Sequence, residues 1–151
     1  MTVFDSPISE FRAYLAVILA WVGAQTWKVL LGVIREQRLD FRWFLNTGGM
    51  PSSHSAAVAS LSTVVGLYYG FGSVPFGITL VYSLIIMFDA AGVRRNVGRQ
   101  AVILNKIVDE LSKGKEVEEK RLKELLGHTP VEVFVGAFWG IFVSLLICVW
   151  I

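Results

Sequence analysis

Two histidines occur in the chain, His54 and His128, and each stands where a polar motif meets an apolar run: "MPSSHS" from Met50 and "GHTPVEV" from Gly127. A histidine near neutral pH can act as a nucleophile or as a general acid and base. Glu132 lies four positions after His128, a spacing that puts two side chains on one face of a helix. A carboxylate placed there takes one imidazole N–H and raises the basicity of the other nitrogen. That is how a nucleophilic histidine is held.

The rest of the polar inventory suits an oxyanion. A helix start leaves backbone N–H groups unpaired and carries the positive end of the dipole. Ser52 and Ser53 add hydroxyl donors there, and Gly48 and Gly49 let the backbone come close to a ligand. Cations complete the set. Lys28 lies inside the first apolar run and Arg35 follows seven positions on, near two helical turns, so the two share a face. "FDAAGVRRNVGRQ" brings Asp89, Arg94 and Arg95 to the end of the third apolar run, and guanidinium forks match phosphate oxygens. Plainer roles stand beside these: a serine N-cap, an interfacial His or Glu, a snorkelling lysine and arginines that anchor a membrane face.

These residues must be positioned by membrane helices. Of the 151 residues, 54% are hydrophobic and 17% charged, with 14 Lys and Arg against 12 Asp and Glu. Mean hydropathy is +0.60. The composition predicts one membrane-embedded, all-α domain over 1–151, and the net charge of +2 is too small to point to nucleic acid. Cys148 is the single cysteine, so no intrachain disulfide forms, and it reads as a small packing residue. The acidic N-terminus lacks the basic start of a signal peptide, so the first apolar run is expected to stay in the mature protein.

Four apolar runs are expected to form about four transmembrane helices: Ala13 to Ile34, Ser55 to about Tyr69, Val74 to about Phe88, and Val131 to the C-terminus. The middle two are short against the ~17–25 residues of a span, and the uncharged "GFGSVP" turn joins them, as two thin spans, the favoured reading, or as a buried re-entrant hairpin. An insertion at about 96–127 interrupts the pattern. Val97, Ala101, Leu104, Val108 and Leu111 recur at helical intervals, giving an amphipathic helix suited to a membrane surface. A charged stretch with Glu116–Lys120 and Glu119–Lys123 pairs follows, ending at Gly127. Arg35, Arg38 and Arg42 follow the first run, and Arg94, Arg95, Arg99 and Lys106 follow the third. Counting positive loops as internal puts both chain ends outside and all the chemistry-bearing residues at the cytoplasmic face of the cell membrane. Gly66-x-x-x-Gly70 and Gly136-x-x-x-Gly140 permit close helix contact, within one chain or in a homodimer.

"TGGMPSSHSA", "FDAAGVRR" and "ELLGHTPVEV" together resemble the divergent branch of the type 2 phosphatidic acid phosphatase family, related to the vanadium-dependent haloperoxidases. The broader family reads K-x-x-x-x-x-x-R-P, then P-S-G-H, then S-R-x-x-x-x-x-H-x-x-x-D. Lys28, Pro51, Ser52, His54 and His128 match, and Arg35 falls at the first motif's arginine. Glu36 replaces the proline, Ser53 the glycine and Glu132 the aspartate, while Arg94 or Arg95 stands in for the displaced arginine. The resemblance implies a membrane phosphatase for a lipid phosphate or diphosphate. His128 would form a phosphohistidine, oriented by Glu132. His54 would protonate the leaving group and then activate water. Lys28, Ser52, Ser53 and an arginine would hold the phosphate, and no cofactor or metal is implied. The alternative from another class is a non-catalytic protein that binds anionic headgroups in the same cradle. Vanadate-bound peroxidase chemistry is a third option within the resemblance, and an apolar membrane setting disfavours it.

Overall fold

The computed structural model describes residues 7–37, 49–111 and 128–150. The described residues form helices α1 (Pro7–Glu36), α2 (Ser53–Tyr69), α3 (Val74–Ala91), α4 (Val93–Leu111) and α5 (Pro130–Leu145), and a π-helical turn at Leu146–Trp150 ends the chain. Among the described residues, three segments are long and apolar enough to cross a membrane: Glu10–Ile34, Val74–Asp109 and Pro130–Trp150. The expected helical membrane bundle is therefore present, with one qualification about its second apolar run.

That run forms α2, a 17-residue helix rich in serine and alanine that is not among those three segments. The reason is position. α2 is the central helix, packed against α1, α3 and α5, and its buried residues are mainly serine, alanine, threonine and glycine. A helix that faces protein on all sides needs small side chains more than it needs apolar ones.

α1 meets the centre through Ala16, Ala20 and Ala24, all 0% exposed. The four-residue step continues to Lys28, so the lysine points into the bundle rather than toward lipid. Backbone approach makes the α2–α5 seam. A Cβ on Gly136 would run into the Ser52 carbonyl, and one on Gly140 into the Ala56 carbonyl. One turn further on, Ser144 Oγ and Ser60 Oγ lie 2.7 Å apart. The register 52/136, 56/140, 60/144 rises in both helices together, so α2 and α5 are parallel. Their N-termini open at the same end.

α3 returns antiparallel to α2 through the turn at Gly70–Ser73, with Ser62 Oγ 2.8 Å from Ser83 Oγ. Only Ser83 and Ala90 of α3 are buried, which leaves most of its Leu, Ile, Val and Phe side chains facing outward. The expected insertion helix begins earlier than its apolar pattern, at Val93, directly after Gly92. Among its described residues Gly98, Ala101 and Asn105 are buried, whereas Val97 and Leu104 are exposed. The charged stretch at 113–127 lies outside the described residues. Both glycine spacings are used within the chain: Gly136 and Gly140 against α2, Gly66 against the Phe71 ring and Gly70, at φ +90°, to end α2. They carry no argument for a dimer.

Candidate active site

The parallel α2 and α5 bring their first turns side by side. Ser52, the N-cap of α2, donates its backbone N–H to the Glu132 carbonyl of α5 at 3.0 Å. One hydrogen bond thus sets the two helix mouths at a common level, and the positive ends of both dipoles meet there.

His128 does not lie within α5. It precedes the N-cap, Thr129, so the shared helix face expected from the i,i+4 spacing is not what joins it to Glu132. A capping box does so instead. Glu132 donates its backbone N–H to Thr129 Oγ1 at 3.3 Å, while its carboxylate turns back over the helix start and accepts the Thr129 N–H at 3.1 Å. The same Oε2 lies 3.1 Å from His128 Nδ1. With a carboxylate at Nδ1, that nitrogen carries the proton and Nε2 is the basic atom. The imidazole is 3% exposed, Glu132 21%. Pro130 in the first turn needs no N–H partner and fits the expected helix start.

The two serines of "PSSHS" divide their work. Ser52 Oγ accepts the Ser55 N–H at 3.4 Å and the Ser55 hydroxyl at 3.0 Å. A hydroxyl has two acceptor positions and one donor hydrogen. With both acceptor positions filled by Ser55, Ser52 is left with its hydrogen to give, which suits an anion. Ser53 Oγ accepts from Lys28 Nζ at 3.3 Å, tying the ammonium of α1 to the first turn of α2. His54 follows in the same turn, half-buried, and its ring stands edge-on to that of His128 with centroids 6.2 Å apart at 63°.

The structure therefore brings together Lys28, Ser52, Ser53, His54, His128 and Glu132, residues in or just before three helices and separated by more than a hundred positions in the sequence. The side chains of Arg35, Arg94 and Arg95, like Gly48, lie outside what the structure describes. Their backbones place Arg35 in the last turn of α1, and Arg94 and Arg95 in the first turn of α4. The pairing of Ser62 with Ser83 in antiparallel helices brings the α3–α4 junction back to the level of Ser53.

Two residues were not anticipated. Ser55 fixes the Ser52 hydroxyl, and Gln25, three positions before Lys28 on the same helix face, is buried at 6% exposure. A glutamine inside a membrane helix is itself a signal, since an amide is costly there without a partner. The Thr129-x-x-Glu132 pattern of a capping box was equally legible. Among the described residues, no three His, Cys, Asp or Glu side chains group as metal ligands.

A helical membrane bundle with paired histidines, a carboxylate, a lysine and serines gathered at two helix mouths defines a class: helical membrane proteins with a polar cluster at one face. Comparison with known proteins narrows it. The Divergent PAP2 family matches residues 10–143, and the chain belongs to that family. The chain is also similar to the uncharacterized membrane protein YuiD of Bacillus subtilis (strain 168). The two are 42% identical over 144 residues, 88% of this chain and 91% of that one. No solved structure matches.

Proposed function

We propose that the protein is an integral membrane phosphatase that hydrolyses a lipid phosphate or diphosphate through a phosphohistidine. The observation that carries this reading is the His128–Glu132 contact at 3.1 Å with the His54 ring beside it. A headgroup binder needs cations and donors. It has no use for one imidazole held by a carboxylate and a second imidazole next to it.

His128 Nε2 attacks phosphorus, and the bond from phosphorus to the leaving oxygen breaks as His54 gives that oxygen a proton. Glu132 holds the Nδ1 proton and offsets the positive charge that develops on the ring. His54, now neutral, takes a proton from water. The resulting hydroxide attacks phosphorus, the P–N bond breaks, and inorganic phosphate leaves. Lys28, the Ser52 hydroxyl and the paired helix starts stabilise the charge on the transferring group, with Ser53 holding the lysine in place. Arg35, Arg94 and Arg95, whose side chains lie outside the described residues, are part of the proposal as further phosphate-binding cations. These fixed charges supply what a metal supplies elsewhere, so the proposal includes turnover without one. By the distribution of Lys and Arg, the site faces the cytoplasm.

Phosphate release from a panel of lipid phosphates and diphosphates, in detergent with EDTA, tests the reading directly. Release by the wild type and none by His128→Ala is expected. Headgroup binding retained in both proteins, with no release from any substrate, would replace the phosphatase by a binding protein.

A further inference from the structure

Beside the polar cluster runs an apolar groove of about 410 Å³ between α1 and α5. Trp27 forms one wall; Val135, Phe138, Trp139 and Phe142 form the other, and Met50 and Pro51 close its upper end. Each upper boundary adjoins a site residue. Pro51 precedes Ser52, Trp27 precedes Lys28, and Val135 lies one turn beyond Glu132. Phe142 is ten positions beyond Glu132, so the groove descends about 15 Å from the level of the helix mouths. That is half of a hydrocarbon core of about 30 Å, the depth of one leaflet.

The lining is almost wholly apolar. The indole N–H of Trp139 is already given to the Ala20 carbonyl at 3.1 Å, which also fixes the ring as a rigid wall. Trp27 and Phe138 are 53% and 71% exposed, so the groove opens sideways, toward lipid.

We infer that this groove seats one hydrocarbon chain of the amphiphilic phosphate whose head enters the His54/His128 cluster, and that Trp27, Val135 and Phe138 set which chains fit. The inference rests on the phosphatase reading only for where the head lies. A chain in lipid gains little by exchanging one apolar surrounding for another. Selection in this groove is therefore by shape and length: a bulkier wall excludes a chain, and a chain too short to reach Phe142 gains nothing from the wall.

The test uses the full chain in nonionic detergent with butyl phosphate and with dodecyl phosphate carrying a terminal bromine. Bromine quenches tryptophan fluorescence at short range, and two of the chain's five tryptophans line the groove. Bromododecyl phosphate is expected to quench the wild type, with most of the quenching lost in the Trp27→Phe/Trp139→Phe double variant. Val135→Phe, which narrows the groove, is expected to weaken bromododecyl phosphate about tenfold and to change the calorimetric affinity for butyl phosphate much less. Phe138→Ala, at an exposed position that folding tolerates, is expected to weaken the long chain about threefold. Long and short esters affected alike, or quenching indifferent to every groove variant, overturns the groove. Because these are binding measurements, they separate the two ideas. Phosphate released equally from both esters, with groove variants inert, removes the groove and keeps the phosphatase. Groove-dependent binding with no phosphate released removes the phosphatase and keeps the groove.

Discussion

α2 makes two very different contacts along its length. Against α5 it lies backbone to backbone, with Gly136 and Gly140 pressed onto the Ser52 and Ala56 carbonyls and a hydrogen bond from Ser52 to Glu132 at the top. Against α3 it makes an ordinary hairpin, pinned by Ser83, while the rest of α3 faces outward. The first contact carries the candidate site, with His54 in the first turn of one helix and the Glu132-held His128 just before the start of the other. The second carries none among its buried residues. Tight packing falls where two imidazoles must be held in a fixed relation, and loose packing where a helix has only to face lipid.

The largest expected effect breaks the chemistry and spares the scaffold. His128→Ala removes the proposed nucleophile and is expected to lower phosphate release by about 10³-fold or more, with the thermal midpoint in detergent within a few degrees of wild type. Glu132→Gln tests the capping box separately. An amide still accepts the Thr129 N–H but cannot stabilise an imidazolium, so release should fall by about 10²-fold or more while the helix start survives. Equal rates in wild type and Glu132→Gln would show that the carboxylate only caps.

Next comes the seam. Gly136→Ala puts a methyl group into the Ser52 carbonyl, where no flexible side chain can yield, and over-packing of this kind costs about 1–3 kcal/mol. It should lower the thermal midpoint and the rate together, because the shift that relieves the clash separates the two histidines. Gly77→Ala in α3 is the control. A Cβ there meets nothing within 4 Å, so stability should stay unchanged or rise by a few tenths of a kcal/mol. If the two substitutions behave alike, the contrast between the two contacts is wrong.

The sequence reading reached the site more fully than the packing that builds it. His54, Ser52 and Lys28 announced themselves because polar residues at the edges of apolar runs are few. His128 and Glu132 did so as well, but for a reason the structure replaces: the pair meets through a capping box rather than along a helix face. The expectation of four spans, the middle two thin, missed that α2 is the interior helix. Its serines look like dilution of an apolar run until the neighbours on all sides are known. The partner of Gly136 and Gly140 was undecidable in the same way, since a small-residue spacing states that something approaches closely and not what does.

Ser55 offers a finer cut at the same seam. Ser55→Ala removes the hydroxyl that fills one acceptor position of Ser52 and leaves the backbone N–H in place. Ser52 then regains an acceptor position and can turn its hydrogen away from an anion. A neutral hydrogen bond is worth about 1 kcal/mol, so a roughly fivefold fall in the rate is expected, with folding intact. Ser55→Thr, which keeps the hydroxyl, should recover most of it. A loss of the same size in Ser55→Thr would mean that volume, not the hydrogen bond, matters at this position.

The smallest effect asks whether the serine pairs or the glycines set the register. Ser60–Ser144 ties α2 to α5 at 2.7 Å, and Ser62–Ser83 ties α2 to α3 at 2.8 Å. If hydrogen bonds fixed the catalytic seam, the first pair would couple far more strongly than the second. Hydroxyls in membrane helices have alternatives, however: Ser144 also reaches the Gly140 carbonyl at 2.9 Å, and Ser83 the Thr79 carbonyl at 2.8 Å. Each alanine variant therefore strands little. Double-mutant cycles on unfolding should give about 0.6 kcal/mol for either pair, the ordinary value for such contacts. Near-equal couplings, both well below the cost of Gly136→Ala, would assign the register of the two histidines to backbone approach. A Ser60–Ser144 coupling several times larger would return it to the side chains.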